Sequence, residues 1–273
     1  MKRIKELIIP APLTLENGKT MQPPKSMALP VLIFVLVATA ISVEVTGFDF
    51  SVLVNRGYEF FTILWRMIPP NFAYLDYIWQ PLFDTIKMSV LGSVLGALLA
   101  VPFAVLGASN IVKNKAVVAV VRLFFSVVRT LPTLVTALLA TYLFGLGTFA
   151  GTVAILIFSF AYLGKLLYEQ IETVDMGAYE ALEAMGATKI RAFQYAILPQ
   201  VLPGYIANGL FCFEGNVRYA SILGYVGAGG LGMILSEKIG WQEYDKVGMI
   251  LLALFVTVAI IEIVSHAIRK KLT

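Results

Sequence analysis

The chain has 273 residues, 59% of them hydrophobic and only 14% charged. A soluble domain is about half apolar and about a quarter charged, so this composition excludes a soluble enzyme, a disordered chain and a nucleic-acid-binding domain. The net charge is only +4, and in a membrane protein the placement of charge matters more than its sum. Long unbroken apolar runs, rather than short alternating strands, point to a helical bundle and away from a β-barrel.

Residues 1–27 are polar, basic and proline-bearing, and read as a cytoplasmic N-terminal segment. The apolar run 28–46 is long enough to span once. It starts too late and runs too long for a simple cleaved signal peptide, so a retained first helix is expected. Residues 47–83 mix charges with aromatics such as Phe60, Trp65 and Trp79, as an external interfacial segment does. The transmembrane core, 84–268, follows. A second span is expected over 85–106. Residues 116–167 hold two more, with Gly145-Leu146-Gly147 as the turn between them. A fifth span covers 201–223, a glycine-rich segment 224–232, and a last span 247–268. Residues 269–273 form a short basic tail. The fold class is therefore an all-α membrane protein, a polytopic bundle of about six transmembrane helices. Of the 21 basic residues, 13 fall in segments 1–27, 107–121, 165–199 and 269–273, and four on the opposite side. The positive-inside bias then puts both termini in the cytoplasm.

Several residues stand out within the spans. Gly92, Gly96, Ala100 and Ala104 form a small-residue stripe, for packing within the bundle or for a subunit interface. Arg122 and Arg129 are seven apart and share a helix face. Arg122 lies near a span end and can snorkel. Arg129 lies deeper, before Pro132, and reads either as pathway-lining or as part of an ion pair. Glu214 and Arg218 are four apart, the spacing of an internal salt bridge. The alternative is that Arg218, with Asn216 and Ser221, lines a route for an anion, whose oxygens suit a guanidinium fork. Gly224, Gly227, Gly229, Gly230 and Gly232 read as a re-entrant gate or as an external loop. Lys87 lies near Asp84, and Glu44 and Glu262 lie near span ends; local pairing or snorkelling explains them more simply than a proton relay. Cys212 and His266 are the single cysteine and histidine. They exclude a disulfide and clustered metal ligands, and read as a buried hydrophobe and an interfacial side chain.

The segment 176–199 is too polar to span and too apolar for a linker. Its helix-Gly-helix composition suits docking into a partner's groove. Glu180, Ala181, Gly186, Leu198 and Pro199 match the spacing of the EAA loop of ABC importer permeases, which this segment resembles; Leu182 and Ala196 depart from the usual pattern. Glu183 and Ala184 complete its charged and small positions. The segments 67–72, 122–151, 164–175 and 213–232 are similar to phosphonate-type importer permeases. The last of these also resembles methionine-importer permeases.

The resemblance implies a type I, methionine-permease-like fold with a cytoplasmic coupling helix in the bacterial plasma membrane. It implies a second permease copy, two ATP-binding subunits seated on the coupling loops, and an external binding protein. The substrate it implies is a phosphonate or a related phosphorus oxyanion such as phosphite. No phosphate-binding loop is present, so ATP and Mg belong on the partner ATPase, and no cofactor or catalysis is expected on this chain. The rival readings are a permease for methionine or another small solute, a proton-coupled carrier or channel, and a membrane-embedded enzyme. The last lacks clustered catalytic groups.

Overall fold

The computed structural model describes residues 13–14, 18, 20–21 and 27–272. Contacts divide the chain into two units, Met1–Thr62 and Ile63–Thr273. In the first unit, Leu13–Thr14 and Thr20–Met21 pair as a minimal antiparallel ladder. Helix α1, Ala28–Thr46, is apolar all round, as a span facing lipid requires. It stops at Gly47 in the left-handed conformation (φ 63°), whose N–H bonds back to Glu44 O. Helix α2, Phe50–Arg66, is instead amphipathic. Asp49 caps its start through Ser51 N at 2.7 Å, and Arg56 pairs with Glu59 at 3.5 Å. This is the pattern of a helix lying in a membrane interface.

The second unit opens with a 3-10 turn, Phe72–Tyr74, and the long α3, Leu75–Gly107. Then come α4, Lys115–Thr130; α5, Thr133–Phe144; and α6, Thr148–Glu172. Two short helices follow, α7, Gly177–Ala184, and α8, Lys189–Ala192. A π-turn, Phe193–Ile197, leads into α9, Leu198–Leu223. Helices α10, Leu231–Gly240, and α11, Tyr244–Leu272, complete the unit. The basic residues 269–271 therefore continue α11.

Among the described residues, five helical segments are long and apolar enough to cross a membrane. A sixth span exists only if α4 and α5 count together, and they are bent by 88°. The expectation of a continuous third span ending at Gly145 is corrected here. Pro132 has no N–H to donate, and it forces Leu131 into extended backbone (φ −75°, ψ 120°), so α4 must stop before it. The second span also starts about three turns earlier than Thr85.

The small-residue stripe settles on packing. A Cβ on Gly92 would meet Ile155 Cγ2 at 2.6 Å, and one on Gly96 would meet Leu156 O at 2.8 Å. Ala100 and Ala104 are fully buried. The stripe thus seats α3 directly on the α6 backbone. Gly96→Val is expected to destabilise the bundle by roughly 1–3 kcal/mol through overpacking, read as a lower melting temperature of the purified protein.

Candidate functional site

The segment 176–199 forms the helix-Gly-helix expected. Gly186 takes φ +88°, its N–H bonds to Glu183 O at 2.9 Å, and Ala187 N bonds to Leu182 O at 3.0 Å. This pattern closes α7 with a left-handed glycine. Thr188 then caps α8, its hydroxyl accepting from Arg191 N at 3.4 Å. One face of the loop is anchored. Tyr179, Ala192, Ala196 and Ile197 are buried in one cluster with Ala104, Phe125 and Ile171 of the bundle. Burial, then the Glu183 carboxylate, pushes the Tyr179 phenol above its ordinary value. The other face is open. Glu180, Ala181, Glu183, Ala184, Gly186 and Pro199 are exposed, and Leu198 is half-buried. Met185, Ile190 and Tyr195 are each more than two-thirds exposed. Exposed apolar side chains on a short, rigidly seated helix pair suit a docking face.

Two supports were not legible in the sequence. Gln200 clamps the ends of the loop: its amide nitrogen donates to Asp175 O at 3.2 Å and to Ala196 O at 2.7 Å, while Asp175 N donates to its oxygen at 3.2 Å. Midway along α4, Arg122 pairs with Glu172 at the end of α6 and donates from Nε to Gly107 O at the end of α3, at 2.9 Å. Glu172 also accepts from Ser109 N at 2.7 Å. Arg122 is therefore a structural pin across α3, α4 and α6.

Arg129 and Arg218 have different surroundings. Arg218 pairs with Glu214, as their spacing indicates, and its own side chain stays half-exposed. Glu214 is buried, and its second oxygen lies 3.8 Å from Arg269 Nη2. Arg129 is exposed on the last turn of α4 and has no ion pair or hydrogen bond among the described residues. The ion-pair alternative for Arg129 therefore fails among those residues.

Both arginines line cavities. A cavity of about 390 Å³ is lined by Arg218 with Phe211, Tyr219 and Ile222, together with Phe158 and Tyr162 of α6. A second, of about 170 Å³, is lined by Arg129 with Thr133 and Thr136, and again by Phe158 and Tyr162. The two cavities thus share one aromatic ridge. Asn216 and Ser221 do not line the Arg218 cavity. Asn216 is buried and donates to Ser93 and Ser159, both at 2.8 Å, tying α9 to α3 and α6. Ser221 bonds back to Arg218 O at 2.6 Å within its own helix. Cys212 is buried, and Lys87 pairs with Asp84 at 3.5 Å.

The glycine segment is packed, which excludes a loose loop. Gly227, Gly229 and Gly230 all have positive φ. Gly227 O accepts from Gly147 N at 2.9 Å. A Cβ on Gly232 would fall 2.3 Å from Ser221 O, and one on Gly229 2.7 Å from Thr148 N. Thr85 Oγ1 accepts from Leu231 N at 2.8 Å and so holds the start of α10 on α3. Thr85→Val leaves that buried N–H without a partner, at a cost of about 1–3 kcal/mol. Faster hydrogen exchange at Leu231 is the expected readout.

Comparison with known proteins agrees with this geometry. Residues 92–273 match the family model described as binding-protein-dependent transport system inner membrane component. A putative phosphite transport system permease protein of Stutzerimonas stutzeri is 31% identical over 237 residues, 87% of this chain and 84% of that protein. A phosphate-import permease protein of Mycolicibacterium smegmatis is 36% identical over 211 residues, 77% of this chain; the chain spans 40% of that protein's length. Among solved structures, an inward-facing methionine ABC transporter matches with a TM-score of 0.67 at 22% identity, covering 74% of this chain and 99% of that one. The last likeness carries the fold alone. With the family model covering two-thirds of its length, this chain belongs to the binding-protein-dependent transport system inner membrane components, with the fold of an ABC importer permease.

Proposed function

We propose that this chain forms the translocation path of an ATP-driven importer for a phosphonate or a related phosphorus oxyanion such as phosphite. An external binding protein delivers the substrate. Two ATPase subunits, which carry ATP and Mg, seat on the loops 176–199 of two copies of this chain. Both termini lie in the cytoplasm. The observation that carries the reading is the pair of arginine-lined cavities sharing Phe158 and Tyr162. An exposed arginine on a membrane helix is costly against lipid, so a water-filled or substrate-filled space beside it is the economical arrangement. A phosphonate brings one to two negative charges and acceptor oxygens suited to guanidinium donors.

A conducting path must hold its ion weakly and at several places. Arg218, partly neutralised by Glu214, and Arg129, without a counter-charge among the described residues, supply two such places. Movement of the coupling loop has a direct route to them. The cluster around Tyr179, Ile197 and Phe125 joins α7 to α4 and α6, and Arg129 lies one turn beyond Phe125. The glycine segment, seated on Thr85 and Gly147, serves as the external gate.

Uptake by the complete transporter, with its ATPase and cognate binding protein, tests the substrate class. Labelled phosphonate or phosphite should enter, and methionine should not. Uptake of methionine alone would replace this reading with the amino-acid one.

A further inference from the structure

The wall between the two arginine cavities is built by one helix. Phe158 and Tyr162 are one turn apart on α6, with ring centroids 5.7 Å apart and planes inclined by 11°. Tyr219 packs edge-on against Phe158 at 6.0 Å and continues the wall. Phe158 and Tyr162 face the cavity of Arg218 and the cavity of Arg129 alike.

Their order along the membrane follows from helix contacts. Asn216 bonds to Ser159, so Arg218, two residues further along α9, lies toward the Thr148 end of α6. A Cβ on Gly164 would meet Phe125 at 2.3 Å, so Arg129, one turn further along α4, lies nearer residue 160. Phe158 and Tyr162 line both cavities, so a substrate at Arg218 or at Arg129 lies against them.

The Tyr162 hydroxyl has no hydrogen-bond partner among the described residues. Tyr219, in the Arg218 cavity, is likewise without one among those residues, whereas Tyr205 donates to Ala97 O at 2.7 Å and Tyr179 to Glu183 at 3.3 Å. A phenol lining a cavity within a membrane bundle is placed to donate to what occupies it. An arginine lines each of the two cavities it faces, so the acceptor there is an anion.

We propose that Tyr162 is a third substrate-binding group, whose hydroxyl donates to an oxygen of a tetrahedral oxyanion as it passes from Arg218 to Arg129. This rests on the anion-path reading above and adds a residue to it. A neutral donor between two cations lowers the barrier between the sites without adding charge, so the anion is passed on without being trapped. The stacked Phe158 ring holds the phenol upright and narrows the passage.

The test uses the full transporter in proteoliposomes, with methylphosphonate and phosphite as probes. Tyr162→Phe keeps the ring and the stack and removes only the donor. It should lower the maximal uptake rate about tenfold, the usual scale for a hydrogen bond to a charged group. The binding-protein concentration giving half-maximal rate should stay unchanged, because docking lies elsewhere. Tyr162→His, which returns a donor on a ring, should recover part of the rate. If Tyr162→Phe lowers protein stability, the comparison moves to Tyr162→His, and failure of that variant to exceed Tyr162→Phe overturns the proposal. Wild-type rates in Tyr162→Phe with loss of uptake in Arg129→Gln overturn the role of Tyr162 and keep the anion path. Wild-type rates in both variants overturn both.

Discussion

Arg129→Gln lowers phosphonate uptake by more than about tenfold, and Arg218→Gln lowers it by less, in the expected outcome. The magnitude follows from the loss of charge-assisted hydrogen bonds to an anion, about 1.5–3 kcal/mol, where about 1.4 kcal/mol is tenfold. The asymmetry follows from the surroundings. Arg129 has no counter-charge among the described residues, so its full field reaches the cavity. Arg218 already shares the Glu214 carboxylate, which Arg269 also approaches at 3.8 Å. Initial uptake rates at matched expression, with ATPase association as a control for folding, measure the difference. Equal, wild-type uptake in both variants would remove the arginines from the path.

Gly186→Val separates the permease from its ATPase. A β-branched residue at φ +88° costs on the order of 1–3 kcal/mol. Nothing lies within 4 Å of a Cβ built there, so the strain comes from the backbone alone. It is relieved by turning α7 against α8, which displaces Met185 and Ile190 from their common exposed face. The buried anchors Tyr179 and Ile197 are left in place, so the bundle stays folded. The expected result is loss of ATPase co-purification and of uptake together, with little change in melting temperature. Gly186→Ala should be milder. A stable and fully active Gly186→Val complex would contradict the docking role.

Much of the architecture is readable from local pattern. The spans follow from unbroken apolar runs, and the coupling loop from Glu180, Ala181, Gly186 and Pro199 at fixed spacing. The Glu214–Arg218 pair is legible because both residues lie on one helix, one turn apart. The break at Pro132 was visible as a proline, but its 88° size depends on how α5 packs on α6. Asn216 illustrates a firmer limit. Its chemistry suits a polar route, but which way it points is set by Ser93 and Ser159 on two other helices. Tyr162 shows the converse. Nothing in its immediate sequence marks it, and it gains meaning only when α4 and α9 bring an arginine to either side of α6. Arg122 could have been matched to Glu172 only by knowing that the middle of α4 meets the end of α6.

This chain is expected to conduct a phosphorus oxyanion only under the drive of ATP hydrolysis on a docked partner. Proteoliposomes holding two copies of the chain with the ATPase pair, given binding protein and labelled phosphonate outside, test it directly. Accumulation should need both ATP inside and binding protein outside, and should survive a proton ionophore. Accumulation without the ATPase subunits, abolished by the ionophore, would contradict it and identify a proton-coupled carrier.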